Sequence, residues 1–134
     1  MPASILIVDD EESIRYTFSS FLSDEGHDVS TAVNYEKALD QISEKRFDLI
    51  IADIFLGGTT GMELLREIRS RQLRSIVVMI TGAPDVETAV EAVRMGAFDY
   101  IEKPVVLETL LLVTSRALAY KTLQDAQGDL PFQP

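Results

Sequence analysis

The feature that most constrains this chain is a repeated alternation. Short apolar, β-branched runs are each followed by apolar residues at helical spacing. Ser4-Ile5-Leu6-Ile7-Val8 is the first run. Ile14, Phe18, Phe21 and Leu22 then recur on one helical face, and Gly26 stands where a left-handed helix stop is wanted. Asp28-Val29-Ser30-Thr31-Ala32 reads as a second strand, and Asn34 can cap a helix with Ala38, Leu39 and Ile42 inward. Leu49-Ile50-Ile51-Ala52 is a third. A loop with Gly57, Gly58 and Gly61 leads to a helix that uses Leu64, Leu65 and Ile68. Ile76-Val77-Val78-Met79-Ile80 is the fourth. Asp85 caps a helix expected to turn Val86, Ala89, Val90 and Val93 inward and to stop at Gly96. Tyr100-Ile101-Glu102 is a short fifth strand. A last helix runs from about Val106 to about Thr122 and uses Leu110, Leu111 and Leu118. Runs that stay apolar instead of alternating belong to strands covered on both faces. Five β-α units of this kind predict an α/β fold, one parallel sheet with helices on both sides.

The length of 134 residues and an apolar fraction of 46% suit one domain with a core that needs no staples. That domain is expected over residues 1–123. The polar stretch 124–134, with Gly128, Pro131 and Pro134, reads as a linker or disordered tail. The absence of cysteine excludes disulfides and thiolate metal sites. A formal net charge of −10 argues against a grip on nucleic acid, whose phosphates need a basic surface. It is compatible with a basic partner or with a cation in an acidic cleft. The Arg66, Arg69, Arg71 and Arg74 run reads as a solvated helix face. No apolar run is long enough to span a bilayer and the N-terminus has no signal pattern, so a cytoplasmic domain off the membrane is the expectation.

Ligands of such sheets bind beyond the carboxyl ends of the strands. The first strand is followed by Asp9 and Asp10, the third by Asp53, the fourth by Thr81 and the fifth by Lys103 and Pro104. An aspartate after a strand can be only a helix cap, and a lone lysine is usually solvated. Together they predict one cleft. Like charges about 4 Å apart repel by roughly 1 kcal/mol in water and roughly 4 kcal/mol at a protein-surface dielectric. A hard divalent cation offsets that repulsion, and oxygen-only ligands favour magnesium or manganese. A carboxylate nucleophile, a metal, an ammonium and a hydroxyl make a phosphoryl-transfer site, whose covalent product is an aspartyl phosphate.

Four motifs, Val8-Asp9-Asp10-Glu11, Ile51-Ala52-Asp53-Ile54, Ile80-Thr81-Gly82 and Tyr100-Ile101-Glu102-Lys103-Pro104, stand in this order on these elements. Over about residues 4–122 the chain resembles the receiver domain of two-component response regulators. The resemblance implies a flavodoxin-like sheet of order 2-1-3-4-5. It implies that Asp53 accepts the phosphoryl group from a sensor histidine kinase. Asp10, Asp53 and the carbonyl of Phe55 would hold Mg2+ (or Mn2+) directly, and Asp9 would act through a metal-bound water. Thr81 and Lys103 would contact the phosphoryl group, and Tyr100 would be the switch aromatic. The Lys103–Pro104 bond is expected to be cis. The surface that changes is expected on the fourth helix, fifth strand and fifth helix, for binding an effector or a second receiver. Residues 88–104 are similar to receivers that precede transcriptional activators with an ATPase domain.

Three positions depart from the family pattern. Gly57 stands where proline is common, Thr60 where an acid is common, and Val105 where phenylalanine is common. Because of Gly57 and Thr60 the loop after Asp53 is expected to be more mobile than in the family. His27, the one histidine, lies at the wrong end of a strand to be a ligand or donor, so a phosphohistidine must come from a partner. A pseudo-receiver that binds partners without phosphorylation shares the fold. A magnesium-dependent aspartyl-nucleophile phosphatase needs a second acid two residues after its nucleophile, where this chain has Phe55. A flavodoxin-like flavin carrier needs a Ser/Thr-rich loop where this chain has Asp9-Asp10-Glu11-Glu12.

Overall fold

A computed structural model describes residues 2–56 and 59–127. Its main sheet has five strands: β1 (Ser4–Val8), β2 (Asp28–Ala32), β3 (Leu49–Asp53), β4 (Ile76–Thr81) and β5 (Asp99–Glu102). All neighbouring pairs are parallel, in the order β2-β1-β3-β4-β5. Five helices alternate with them: α1 (Glu12–Asp24), α2 (Tyr35–Glu44), α3 (Gly61–Ser70), α4 (Val86–Arg94) and α5 (Leu107–Ala126).

The central strands are apolar throughout because each face of the sheet carries its own core. Leu6, Val8, Ile50, Ala52, Val77 and Met79 pack with Ala38 and Ile42 of α2, Leu64, Leu65 and Ile68 of α3, and Ala92 of α4. Ile5, Ile7, Leu49, Ile51, Val78 and Ile80 pack on the other face with Phe18 and Leu22 of α1 and Leu110, Val113 and Ala117 of α5. The period-two alternation of the pleat sorts odd and even residues between two cores. The expected stops hold: Gly26 and Gly96 adopt φ of +93° and +90°. So do the caps, since Asn34 and Asp85 accept from the amides of Lys37 and Thr88. His27 is half-buried, and its Nδ1 accepts from the amide of Ala3 at 3.1 Å, a role in fastening the N-terminus.

Three features differ from the sequence reading. Residues Phe55–Leu56 and Thr59–Thr60 form a short antiparallel ribbon, where only a glycine loop was expected. The expected mobility rested on Gly57 and Thr60; Gly57 lies outside the described residues with Gly58, whereas Thr60 pairs with Phe55 and caps α3 by accepting from the amide of Glu63. Helix α5 continues to Ala126, so 124–126 are helical, while residues 128–134 lie outside the described residues. The inward face expected for α4 is wrong. Val86, Val90 and Val93 are 78%, 43% and 64% exposed, and Ala92 is the buried residue of that helix. The helix lies on the sheet through its small residue, and its valines face out. No helix among the described residues is long and apolar enough to cross a membrane.

Gly61 opens α3 because nothing larger fits there. A Cβ at this position would lie 2.2 Å from the carbonyl oxygen of Asp53, and its amide donates to the carbonyl of Ile54 at 2.6 Å. The clash is with backbone, so Gly61→Ala is expected to destabilise the fold by about 2–3 kcal/mol in urea unfolding. Gly82→Ala, whose Cβ would meet only Lys103 Cδ at 4.0 Å, should change stability by less than about 0.5 kcal/mol. Equal costs for the two variants would refute the close-approach argument.

Candidate functional site

The parallel sheet brings the ends of β1, β3, β4 and β5 to one edge, and the polar residues of the sequence reading follow them there. Asp9 leaves β1 fully buried. Its Oδ1 accepts from the amide of Glu11 at 2.9 Å, and its carbonyl accepts from the Arg15 guanidinium at 2.8 Å. Asp53, the last residue of β3, is buried too. Its Oδ1 accepts from the amide of Phe55 at 3.0 Å, and its Oδ2 accepts from Lys103 Nζ at 2.7 Å. Lys103 follows β5 and donates its amide to the carbonyl of Thr81 at 2.7 Å, which fixes the stem of its side chain. The Lys103–Pro104 bond is cis, as expected.

One ammonium serves three carboxylates. Lys103 Nζ lies 2.7 Å from Asp53, 3.0 Å from Asp9 and 3.2 Å from Glu11. Asp10 is exposed at the mouth, and one oxygen from each of Asp9, Asp10, Glu11 and Asp53 lies within 4.8 Å of the others. Among the described residues, Lys103 is the one cation paired with any of these four carboxylates. The imbalance shows in both partners. Burial pushes the Asp9 carboxyl above its ordinary value, and the charge of Asp53 adds to the rise, against the pull of the Glu11 amide and Lys103. Burial works against the Lys103 ammonium, yet its bonds to Asp53 and Asp9 outweigh burial and raise its pKa.

Thr81 ends β4 fully buried, and its Oγ1 accepts from the amide of Ala83 at 3.0 Å, leaving its own proton to donate. Tyr100 on β5 pairs in register with Met79 and so shares a sheet face with Thr81. It is half-buried against the α2, α3 and α4 side, and its hydroxyl accepts from the amide of Asp85 at 3.3 Å. Phe55 is exposed, with its backbone beside Asp53. Two participants carried no role in the sequence reading. Glu11 was only part of a motif, although its place next to Asp10 signals it. Arg15, one helical turn on, anchors the backbone of Asp9; nothing in its local pattern points to that carbonyl.

The donor set fits a hard divalent cation. It is all oxygen, and Asp9 Oδ2 is buried with no partner of hydrogen-bond geometry, although Lys103 Nζ is 3.0 Å away.

The family model of the response regulator receiver domain matches residues 5–114. The chain belongs to that family. A receiver domain is a phosphoacceptor signalling switch, and the strand-end cleft is where this one carries its acidic groups. The nitrogen assimilation regulatory protein NtrX of Azorhizobium caulinodans is 43% identical over 120 residues, 88% of this chain and 26% of that protein. The crystal structure of NtrX from Brucella abortus in complex with ADP aligns with a TM-score of 0.90 at 43% identity, covering 100% of this chain and 31% of that one. The beryllofluoride-activated NtrC4 receiver domain dimer aligns with a TM-score of 0.83 at 35% identity, covering 88% of this chain and 98% of that one. The chain spans about a quarter of the length of the curated relatives it matches.

Removal of Lys103 tests the charge imbalance. Lys103→Met leaves the buried acids unshielded and is expected to lower stability at neutral pH by about 3 kcal/mol, with millimolar Mg2+ restoring part of the loss. The raised lysine pKa gives the sign in the wild type. The stability that the ammonium contributes is fully present below the ordinary lysine value near pH ~10.4 and is lost as pH rises through the raised one. Urea midpoints across the alkaline range check both. A Lys103→Met variant as stable as the wild type without metal would contradict the account.

Proposed function

We propose that Asp53 accepts a phosphoryl group from the phosphohistidine of a sensor histidine kinase and thereby switches the α4, β5 and α5 surface. The observation that carries this reading is the approach of Lys103 Nζ to Asp53 Oδ2, 2.7 Å apart beside buried Asp9. Asp10, Asp53 and the carbonyl of Phe55 would hold Mg2+ (or Mn2+), with Asp9 reaching it through a water. When bound, the cation neutralises charge on the phosphoryl oxygens.

An Asp53 carboxylate oxygen attacks phosphorus in line, an O–P bond forms, and the P–N bond to the kinase imidazole breaks. Lys103 keeps its place and moves its ammonium from carboxylate to phosphoryl oxygen, so charge is balanced at little reorganisation cost. Thr81 donates its hydroxyl proton to a second phosphoryl oxygen. That pull disturbs its bond from the amide of Ala83, at the entry to α4. Tyr100, on the same sheet face, turns toward the vacated space and gives up its bond from the amide of Asp85. The outcome is a population shift between two arrangements of α4.

The exposed Val86, Val90 and Val93 supply an apolar surface for an effector or for a second receiver. The NtrC4 receiver was solved as an activated dimer, which supports the second receiver as one partner. The effector is a domain or protein beyond the described residues, of the transcription-regulating kind named in the relatives. The domain is a regulator without turnover of an external substrate, it works in the cytoplasm, and its charge of −10 keeps it from direct contact with nucleic acid.

Incubation with acetyl phosphate and Mg2+ is expected to add one phosphoryl group by mass, and Asp53→Asn is expected to abolish the gain. Labelling retained in Asp53→Asn would place the acceptor elsewhere. On the receiver resemblance Phe55 and Ala83 would flank the path of an attacking water, and neither side chain can orient it by a hydrogen bond. Self-dephosphorylation is therefore expected to be slow. A phosphorylated half-life of seconds, followed by mass or by loss of label, would contradict that.

A further inference from the structure

The basic run on α3 does not behave as one solvated face. Arg66 pairs with Glu91 of α4 at 2.6 Å, and Arg71 pairs with Glu67 at 2.8 Å. Arg69 differs from both. Its guanidinium is bonded to no carboxylate among the described residues and instead donates to four carbonyls. Two belong to the turn after α3: Leu73 at 3.5 Å and Ser75 at 3.3 Å. Two close α4: Met95 at 3.2 Å and Gly96 at 2.7 Å. The group thus lies where the negative ends of two helices meet. Gly96 keeps the approach open, since a Cβ there would lie 3.1 Å from Arg69 Nε. Five donors in a planar fork suit this task, and a lysine has three donors on one atom.

The anchoring of α4 is one-sided. Ala92, its buried residue, Glu91, which holds Arg66, and the carbonyls of Met95 and Gly96 all lie at its C-terminal end. Ala97 just beyond is buried, and its amide donates back to Ala92. At the other end Val86 is largely exposed, Thr88 and Ala89 are only half-buried, and a hydrogen bond from the amide of Asp85 to the Tyr100 hydroxyl ties the cap to the sheet. That end lies beside Ala83, whose amide donates to Thr81.

We propose that Arg69 is a positioning residue that clamps the C-terminal end of α4 to α3, so that α4 moves as a lever from its N-terminal end beside Thr81. The exposed valines ride on that lever, and the clamp decides which way their surface turns. The direction of the motion rests on the reading that phosphorylation acts through Thr81 and Tyr100. The clamp itself is present without phosphorylation.

Amide hydrogen exchange by NMR on the intact chain separates the two. In the unphosphorylated wild type, Ala89 and Val90 are expected to exchange faster than Met95 and Ala97. In Arg69→Met, Met95 and Ala97 should exchange at least about tenfold faster relative to Ile50 and Ile51 of β3, with the Ala89 ratio unchanged. Normalising to β3 removes any general loss of stability. Arg69→Lys keeps the charge without the fork and is expected to follow Arg69→Met. A uniform rise across α4 and β3, or full rescue by lysine, would overturn the clamp. After acetyl phosphate and Mg2+, the wild type should change exchange in residues 86–90 and not at Met95, whereas Arg69→Met should spread the change over the whole helix. A labelled wild type with no change in α4 would sink the switch reading and leave the clamp to be judged by the unphosphorylated comparison. A change centred on Met95 would overturn the lever.

Discussion

A single ammonium held among carboxylates is the interaction on which the rest of this structure depends. Lys103 touches Asp9 and Glu11 at the end of β1 and Asp53 at the end of β3, acids that would repel one another without it. The fold is what enforces that proximity. Register between β1 and β3 pairs Val8 with Ala52, so the acids that follow each strand emerge side by side. Register between β4 and β5 pairs Thr81 with Glu102, which delivers Lys103 one residue later. The two hydrophobic cores hold these registers rigidly, since a slip by one residue would exchange the faces of a strand that packs on both. The cluster therefore stores repulsion that its surroundings over-determine. In the proposed function a cation and a phosphoryl group would relieve and reuse that imbalance.

The parts of this arrangement that were legible in the sequence are those set by local chemistry. Unbroken runs such as Leu49-Ile50-Ile51 announce buried parallel strands, and a polar residue directly after each run marks the edge where ligands bind. Caps at Asn34 and Asp85 and left-handed stops at Gly26 and Gly96 were readable for the same reason. What was not readable depends on which segments pair and pack in the folded chain. The ribbon of Phe55–Leu56 with Thr59–Thr60 exists through pairing, not propensity. Arg69 looks like any surface arginine until α4 brings its carbonyls alongside. In α4 the valines outnumber the alanines, and periodicity alone favours burying the larger side chains. The structure does the reverse and buries Ala92.

That reversal connects packing to signalling. A helix buried through several large residues would cost too much to shift, whereas one seated on a single alanine and held by arginines from one side lies at the low-stability end of the fold. Its exposed valines would be a liability on an inert domain and are the surface that the proposed switch would offer to a partner. In the proposed switch, Thr81 and Tyr100, one residue from each of two adjacent strands on one face of the sheet, would join the acidic cleft to the loosely seated helix.

Paramagnetic broadening by Mn2+ in an NMR spectrum of the metal-free chain tests the convergence of these acids most directly. Substoichiometric Mn2+ is expected to broaden first the amides around Asp10, Asp53, Thr81 and Lys103, and to spare equally acidic surface such as Glu87 and Glu91 on α4. Broadening spread evenly over the acidic surface, or centred away from the ends of β1 and β3, would contradict it.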